Sequence, residues 1–151
     1  MRLEDEIKQK SFSSEKDKAI INLIYTFNRV DYQSKNFFKQ YGLTPQQYNI
    51  LRILRGQHPE PCTINLLKER MLDKMCDASR MVERLRLKQL LKRKTCTNDR
   101  RSVDIIITQK GLDLLASIDP EVTQFNAQLM SGLNDNETKI LNTLLDKMRT
   151  K

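Results

Sequence analysis

The stretch Asp99-Arg100-Arg101-Ser102-Val103-Asp104-Ile105-Ile106-Ile107-Thr108 decides the fold of this chain. Val103, Ile105 and Ile107 fall on one face of a β-branched run, the period of a strand with one buried side. Residues 91–96 read as a second short strand, and Thr97-Asn98-Asp99-Arg100-Arg101 reads as the hairpin loop between the two. Two guanidinium groups in such a loop suit contact with an anion better than packing in a core.

A helix precedes this hairpin, from about Met75 or Cys76 to Lys88. On a 100° wheel Ala78, Met81, Val82 and Leu85 form an apolar stripe, while Cys76, Ser79, Arg80, Glu83 and Arg84 point away from it. Leu87 falls on the polar face and has no place in the pattern. Asp77 reads as an acid at the helix start and Glu83 as a partner for an arginine. A shorter helix, from Ile64 to about Met71, is capped by Thr63. Before that, Thr44, Pro45 and Gln47 supply the N-cap, first-turn proline and capping box of a helix that ends near Gly56.

The ends of the chain are helical. Ser13 or Ser14 caps a helix running to about Gln40, with Ile20, Leu23, Ile24, Phe27, Val30, Phe37 and Phe38 at three-to-four spacing, and Gly42 stops it. Thr108 caps a helix from Gln109, which Pro120 either kinks or restarts. Asn134 and Glu137 form a capping box ahead of Ile140, Leu141, Leu144, Leu145 and Met148. The fold class is therefore mainly α, made α+β by the hairpin. Two short helices followed by a hairpin have the layout of a winged helix-turn-helix, whose second helix enters the major groove.

Charge follows this division. The 151 residues include 27 Lys plus Arg against 19 Asp plus Glu, a net charge of +8. Residues 1–40 hold 8 basic and 6 acidic side chains and residues 111–151 hold 4 and 6, so the ends cancel. Residues 41–110 hold 15 basic and 7 acidic side chains and carry the whole excess. A solvated basic face is the plain reading of such a segment; a polyanion-binding lobe is the functional one. No aromatic residue lies between Asn49 and Gln124, so the lobe lacks the rings on which single strands stack, and a duplex backbone is the better match.

With these elements in place, the sequence resembles the MarR family of bacterial transcriptional regulators. Three stretches carry the resemblance: residues 43–51 (LTPQQYNIL), residues 77–85 (DASRMVERL) and the wing. The wing fits the family pattern D-x-R-x-x-x-[hydrophobic]-x-[hydrophobic]-T at each fixed position, and Gly111 also matches. The resemblance implies a single domain over residues 1–151, with a DNA-binding lobe at 41–110 and dimerisation helices at 1–40 and 111–151. It implies that the wing acid Asp99 orients an arginine and that a tip arginine enters the minor groove, roles that fall to Arg100 and Arg101. One departure is Gln89, where the family commonly has Gly; it must either take a left-handed conformation or end the helix differently.

The expected function is a sequence-specific, double-stranded-DNA-binding regulator, a ligand- or stress-responsive repressor that acts as a cytoplasmic homodimer on a pseudo-palindromic operator. A nonspecific architectural DNA-binding protein is the alternative. Candidate DNA contacts are Ser79, Arg80, Glu83, Arg84, Arg86, Lys94, Asp99, Arg100 and Arg101. The resemblance also implies a small-molecule effector pocket, which would draw on Phe27, Tyr32, Phe37 or Tyr48, although the same residues are more simply core or interface. Cys76, near a helix N-terminus beside Lys74 and Arg80, is a candidate redox thiol, against the plainer reading of an inert one. No cofactor or metal is expected, since His58 is the only histidine and sits in a proline-flanked loop without a ligand cluster. Enzyme chemistry finds no G-x-S-x-G and no phosphate-cradling loop among four glycines. No apolar run approaches the roughly 18 residues of a membrane helix, and no secretion signal opens the chain. The three cysteines suit a reducing compartment.

Overall fold

The computed structural model describes residues 2–95 and 103–150. Its elements run α1 (Leu3–Glu6), α2 (Glu15–Lys39), α3 (Pro45–Gln57), β1 (Cys62–Thr63), α4 (Ile64–Arg70), α5 (Ala78–Leu87), β2 (Leu91–Thr95), β3 (Val103–Ile107), α6 (Gln109–Leu129) and α7 (Asp135–Arg149). They group into two compact units, Met1–Tyr48 and Asn49–Lys151.

In the first unit the Ser14 side chain accepts from the Asp17 amide and starts α2. The short α1 lies along this helix: Lys18 bonds Glu4 at 2.6 Å and the Tyr25 hydroxyl donates to Glu6 at 2.8 Å. α2 ends in a Schellman turn, in which Gly42 at φ 66° lets its own amide reach the Lys39 carbonyl and the Leu43 amide reach that of Phe38. The buried Phe38 ring stacks on buried Tyr48 at 4.3 Å between centroids. At the start of α3 the Thr44 hydroxyl accepts from the Gln47 amide while the Gln47 side chain accepts from the Thr44 amide, each at 3.1 Å. This reciprocal box accounts for Gln47, the buried polar side chain of the unit.

In the second unit Ile50, Leu51, Leu54, Leu67, Val82, Leu85, Ile105, Leu115 and Ile118 are all 0% or 1% exposed and form the core. α4 packs on α5, β1 and β3, and α5 packs on β2. The expected two-stranded hairpin is the main part of a three-stranded antiparallel sheet of order β1-β3-β2. Cys62 faces Ile105 across the added pair, and this two-residue strand was too short to show any alternation in the sequence. Pro120 does not restart the helix: α6 is continuous through it. Arg55 of α3 and Asp119 of α6 form a two-bond ion pair at 2.7 and 3.0 Å.

The candidate recognition helix starts later than expected, at Ala78, because the Asp77 carboxylate accepts from the Arg80 amide and makes Asp77 the N-cap. Its other end repeats the Gly42 turn without a glycine. Gln89 stands at φ 61°, its amide reaching the Arg86 carbonyl at 2.8 Å, while the Leu90 amide reaches the Leu85 carbonyl at 3.1 Å. The left-handed alternative is the one adopted.

Candidate nucleic-acid interface

The exposed side of α5 is set by what its other side buries. Ala78, Val82 and Leu85 are 1% exposed or less, and Met81 is half-buried, so the helix presents Ser79, Arg80, Arg84, Arg86 and Leu87 to solvent. All five are exposed. Among the described residues no acidic side chain pairs with Arg80 or Arg84, which leaves both guanidinium groups available to an external anion.

Glu83 and Arg86 behave differently. The Glu83 carboxylate accepts from Arg86 at 2.8 Å and lies 3.4 Å from Arg93 of β2. The Arg86 hydrogen bond, ahead of the opposing effect of burial, lowers the Glu83 pKa from its ordinary value, and the same bond raises that of Arg86. Glu83 is thus an arginine partner that ties α5 to β2, and Arg86 is paired with it. Arg93 is a member of this set that the sequence reading left out of the candidate contacts; its only signal was its place in the basic run. Lys94 is exposed on β2 beside it. Asp99, Arg100 and Arg101 lie outside the described residues, as does Cys96, but β2 and β3 pair in register from Leu91 opposite Ile107 to Thr95 opposite Val103, so the strands that carry the wing are in place.

The structure bears on two further candidates. Cys76 lies before the N-cap instead of inside the first turn of α5, and its thiol pKa is raised, by burial first and then by Asp73 and Asp77. A thiol flanked by two carboxylates is disfavoured as a thiolate, which favours the plainer inert reading of Cys76 over the redox candidate. The four candidate pocket residues also part company. Phe27 and Tyr32 are 63% and 67% exposed and stand about 140° apart around α2. Phe37 is half-buried and packs against Phe38 and Tyr41, while Tyr48 is buried and stacks on Phe38. Among the described residues no cluster of His, Cys, Asp and Glu could hold a metal ion, and no helix is long and apolar enough to cross a membrane.

This geometry agrees with what the chain is similar to. Residues 43–103 match the MarR family model, a span that runs from the start of α3 to β3. The HTH-type transcriptional regulator MhqR of Bacillus subtilis (strain 168) is 27% identical over 118 residues, covering 78% of this chain and 79% of that protein. A MarR transcription factor from Planctomyces limnophilus is 29% identical, with a TM-score of 0.70 over 90% of this chain and 98% of its own. A mutant MarR from E. coli, solved in complex with operator DNA, superposes with a TM-score of 0.81 at 21% identity, covering 93% of this chain and 100% of its own. The helix-turn-helix order, the sheet behind it and these likenesses agree: residues 43–103 resemble the MarR family on a winged helix-turn-helix fold.

Proposed function

We propose that the protein is a homodimer that reads a pseudo-palindromic operator in duplex DNA and represses transcription from it. The observation that carries this reading is the exposed face of α5, where among the described residues no ion pair engages Arg80 or Arg84, on a helix whose opposite face buries Ala78, Val82 and Leu85. Arg can bond guanine with two parallel donors in the major groove. Arg100 and Arg101, with Asp99 to orient one of them, supply the groove or backbone contact from the wing. The E. coli MarR that shares this fold was solved with operator DNA, which supports duplex DNA as the partner.

The dimer is supported by two apolar stripes that the single chain leaves uncovered. Ile20, Leu23, Ile24, Phe27 and Val30 are exposed along α2, and Ile140, Leu141, Leu144 and Met148 along α7. Each large side chain left in water forgoes about 1.5–3 kcal/mol of burial, which favours a second copy as the cover. Two recognition helices related by a twofold axis would meet half-sites about 34 Å apart. A dimer seated on a promoter excludes other proteins from that duplex, which makes repression the direct outcome of binding. A signal that alters the helix spacing would release it.

Selection of bound duplexes from a random pool tests this. The expected product is an inverted repeat bound by two chains. Retention of all sequences alike would favour the architectural alternative instead.

A further inference from the structure

Most of the large apolar side chains left exposed lie on α2, on α7 or around the end of α6. Leu72, Met75 and Leu87 do not, at 85%, 94% and 68% exposed. Leu87 sits at the C-terminal end of α5, away from the end that addresses bases in helix-turn-helix proteins. Leu72 and Met75 lie in the turn between α4 and α5, at the end that does.

That turn is built to hold them outward. The Leu72 amide donates to the Asn49 side-chain oxygen at 3.0 Å, the Met75 amide to the Asp73 carboxylate at 3.0 Å, and the Cys76 amide to the Asp73 carbonyl at 3.4 Å. Lys74 donates to the Lys68 and Glu69 carbonyls at 3.2 and 2.6 Å and closes the end of α4. With its backbone fixed by these bonds, Met75 projects into solvent two residues before the Asp77 N-cap and five before Arg80. It is the most exposed of the large apolar side chains, placed at the entrance to the face that carries the uncommitted arginines.

In the major groove of duplex DNA one base alone offers an apolar surface, the C5-methyl group of thymine. A thioether on an unbranched, polarizable stem adapts readily to such a methyl. Resting on the duplex-DNA reading above, we propose that Met75 is a specificity-determining residue that packs on a thymine methyl group next to the bases met by Arg80. Leu72, five residues before the N-cap, is not assigned to this contact.

The test uses the full-length protein and its selected duplex, with each thymine of one half-site replaced in turn by deoxyuridine, which removes only the methyl group. At one position the replacement should weaken binding about fourfold, the worth of one buried methyl group. Met75→Ala should weaken binding to the unmodified duplex by a similar factor and should no longer respond to deoxyuridine there. Leu72→Ala should respond as the parent protein does. Binding in which no thymine methyl matters, or a Met75→Ala variant that keeps the full response, would overturn the assignment while leaving the DNA reading intact. Failure to select any duplex would contradict the DNA reading and remove the assignment with it.

Discussion

The Thr108 hydroxyl donates to the Gln89 carbonyl at 2.7 Å while accepting the Gly111 amide at 3.1 Å, so the residue that caps α6 also holds the left-handed turn that closes α5. The Thr108 amide reaches the Leu90 carbonyl at 3.1 Å and the Lys110 ammonium the Lys88 carbonyl at 3.0 Å, completing the lock. α5, the turn after it and α6 are thereby fixed to one another at the base of the hairpin.

This lock compensates for strain at Gln89, whose φ of 61° costs a side-chain-bearing residue about 1 kcal/mol relative to glycine. Gln89→Gly should therefore stabilise the protein by about that amount and raise its melting temperature by roughly 2–4 °C. Thermal unfolding checks it. A lower melting temperature would mean that the bonds around the turn, and not the backbone conformation, set the cost.

Gly111 is required for a different reason. A Cβ there would lie 2.4 Å from the Leu90 carbonyl oxygen and 2.7 Å from Ile107 Cγ1, and the first of these is backbone that cannot rotate aside. Gly111→Ala should lose about 2–3 kcal/mol in urea unfolding. Gly56→Ala, where nothing lies within 4 Å, should be neutral or gain up to about 1 kcal/mol. Equal effects at both sites would contradict the close approach.

The Arg55 to Asp119 pair supplies a pH dependence. The two-bond contact with Arg55 is the main cause of the lowered Asp119 pKa, which in the folded chain lies below its ordinary value of 3.8. Its contribution is therefore complete above that value and is lost as pH falls through the lower, folded one. Because both side chains are partly exposed, the pair contributes under about 1 kcal/mol at neutral pH. Asp119→Asn should be slightly less stable at pH 6, and the gap to the parent protein should close toward pH 3. A constant gap across that range would contradict the assignment.

Cys76 should react slowly, since burial together with Asp73 and Asp77 keeps its thiol protonated at neutral pH. Alkylation at pH 7 followed by peptide mapping, which separates it from Cys62 and Cys96, should give a rate below that of free cysteine. A faster rate would restore it as a redox candidate.

Local signals made most of the fold legible. The Ser14, Thr44, Thr63, Thr108 and Asn134 caps all stand where side-chain chemistry placed them, because each depends on residues within one helical turn. What escaped was set by distant partners. The pairing of β1 with β3 depends on a register 42 or so residues away, too short to leave a pattern in the sequence. The start of α5 was misplaced by two or three residues because Asp77, read only as a favourable acid, proved to be the cap itself. The Cys76 environment was only half legible: the basic neighbours stand out in the sequence, while the burial that raises its pKa is set by the turn. The arginine face of α5 was readable from the wheel alone, whereas the commitment of Arg86 to Glu83 was not.

The central claim is that the exposed arginine face of α5 reads sequence in duplex DNA, and a titration at one fixed salt concentration tests it most directly. The selected operator and a scrambled duplex are each titrated with the parent protein and with Arg80→Ala. The parent should prefer the operator by about 10³-fold or more. Arg80→Ala should lose about ten- to hundredfold on the operator, little on the scrambled duplex and nothing in thermal stability. Equal affinity of the parent protein for both duplexes, or an unchanged preference in Arg80→Ala, would contradict the account.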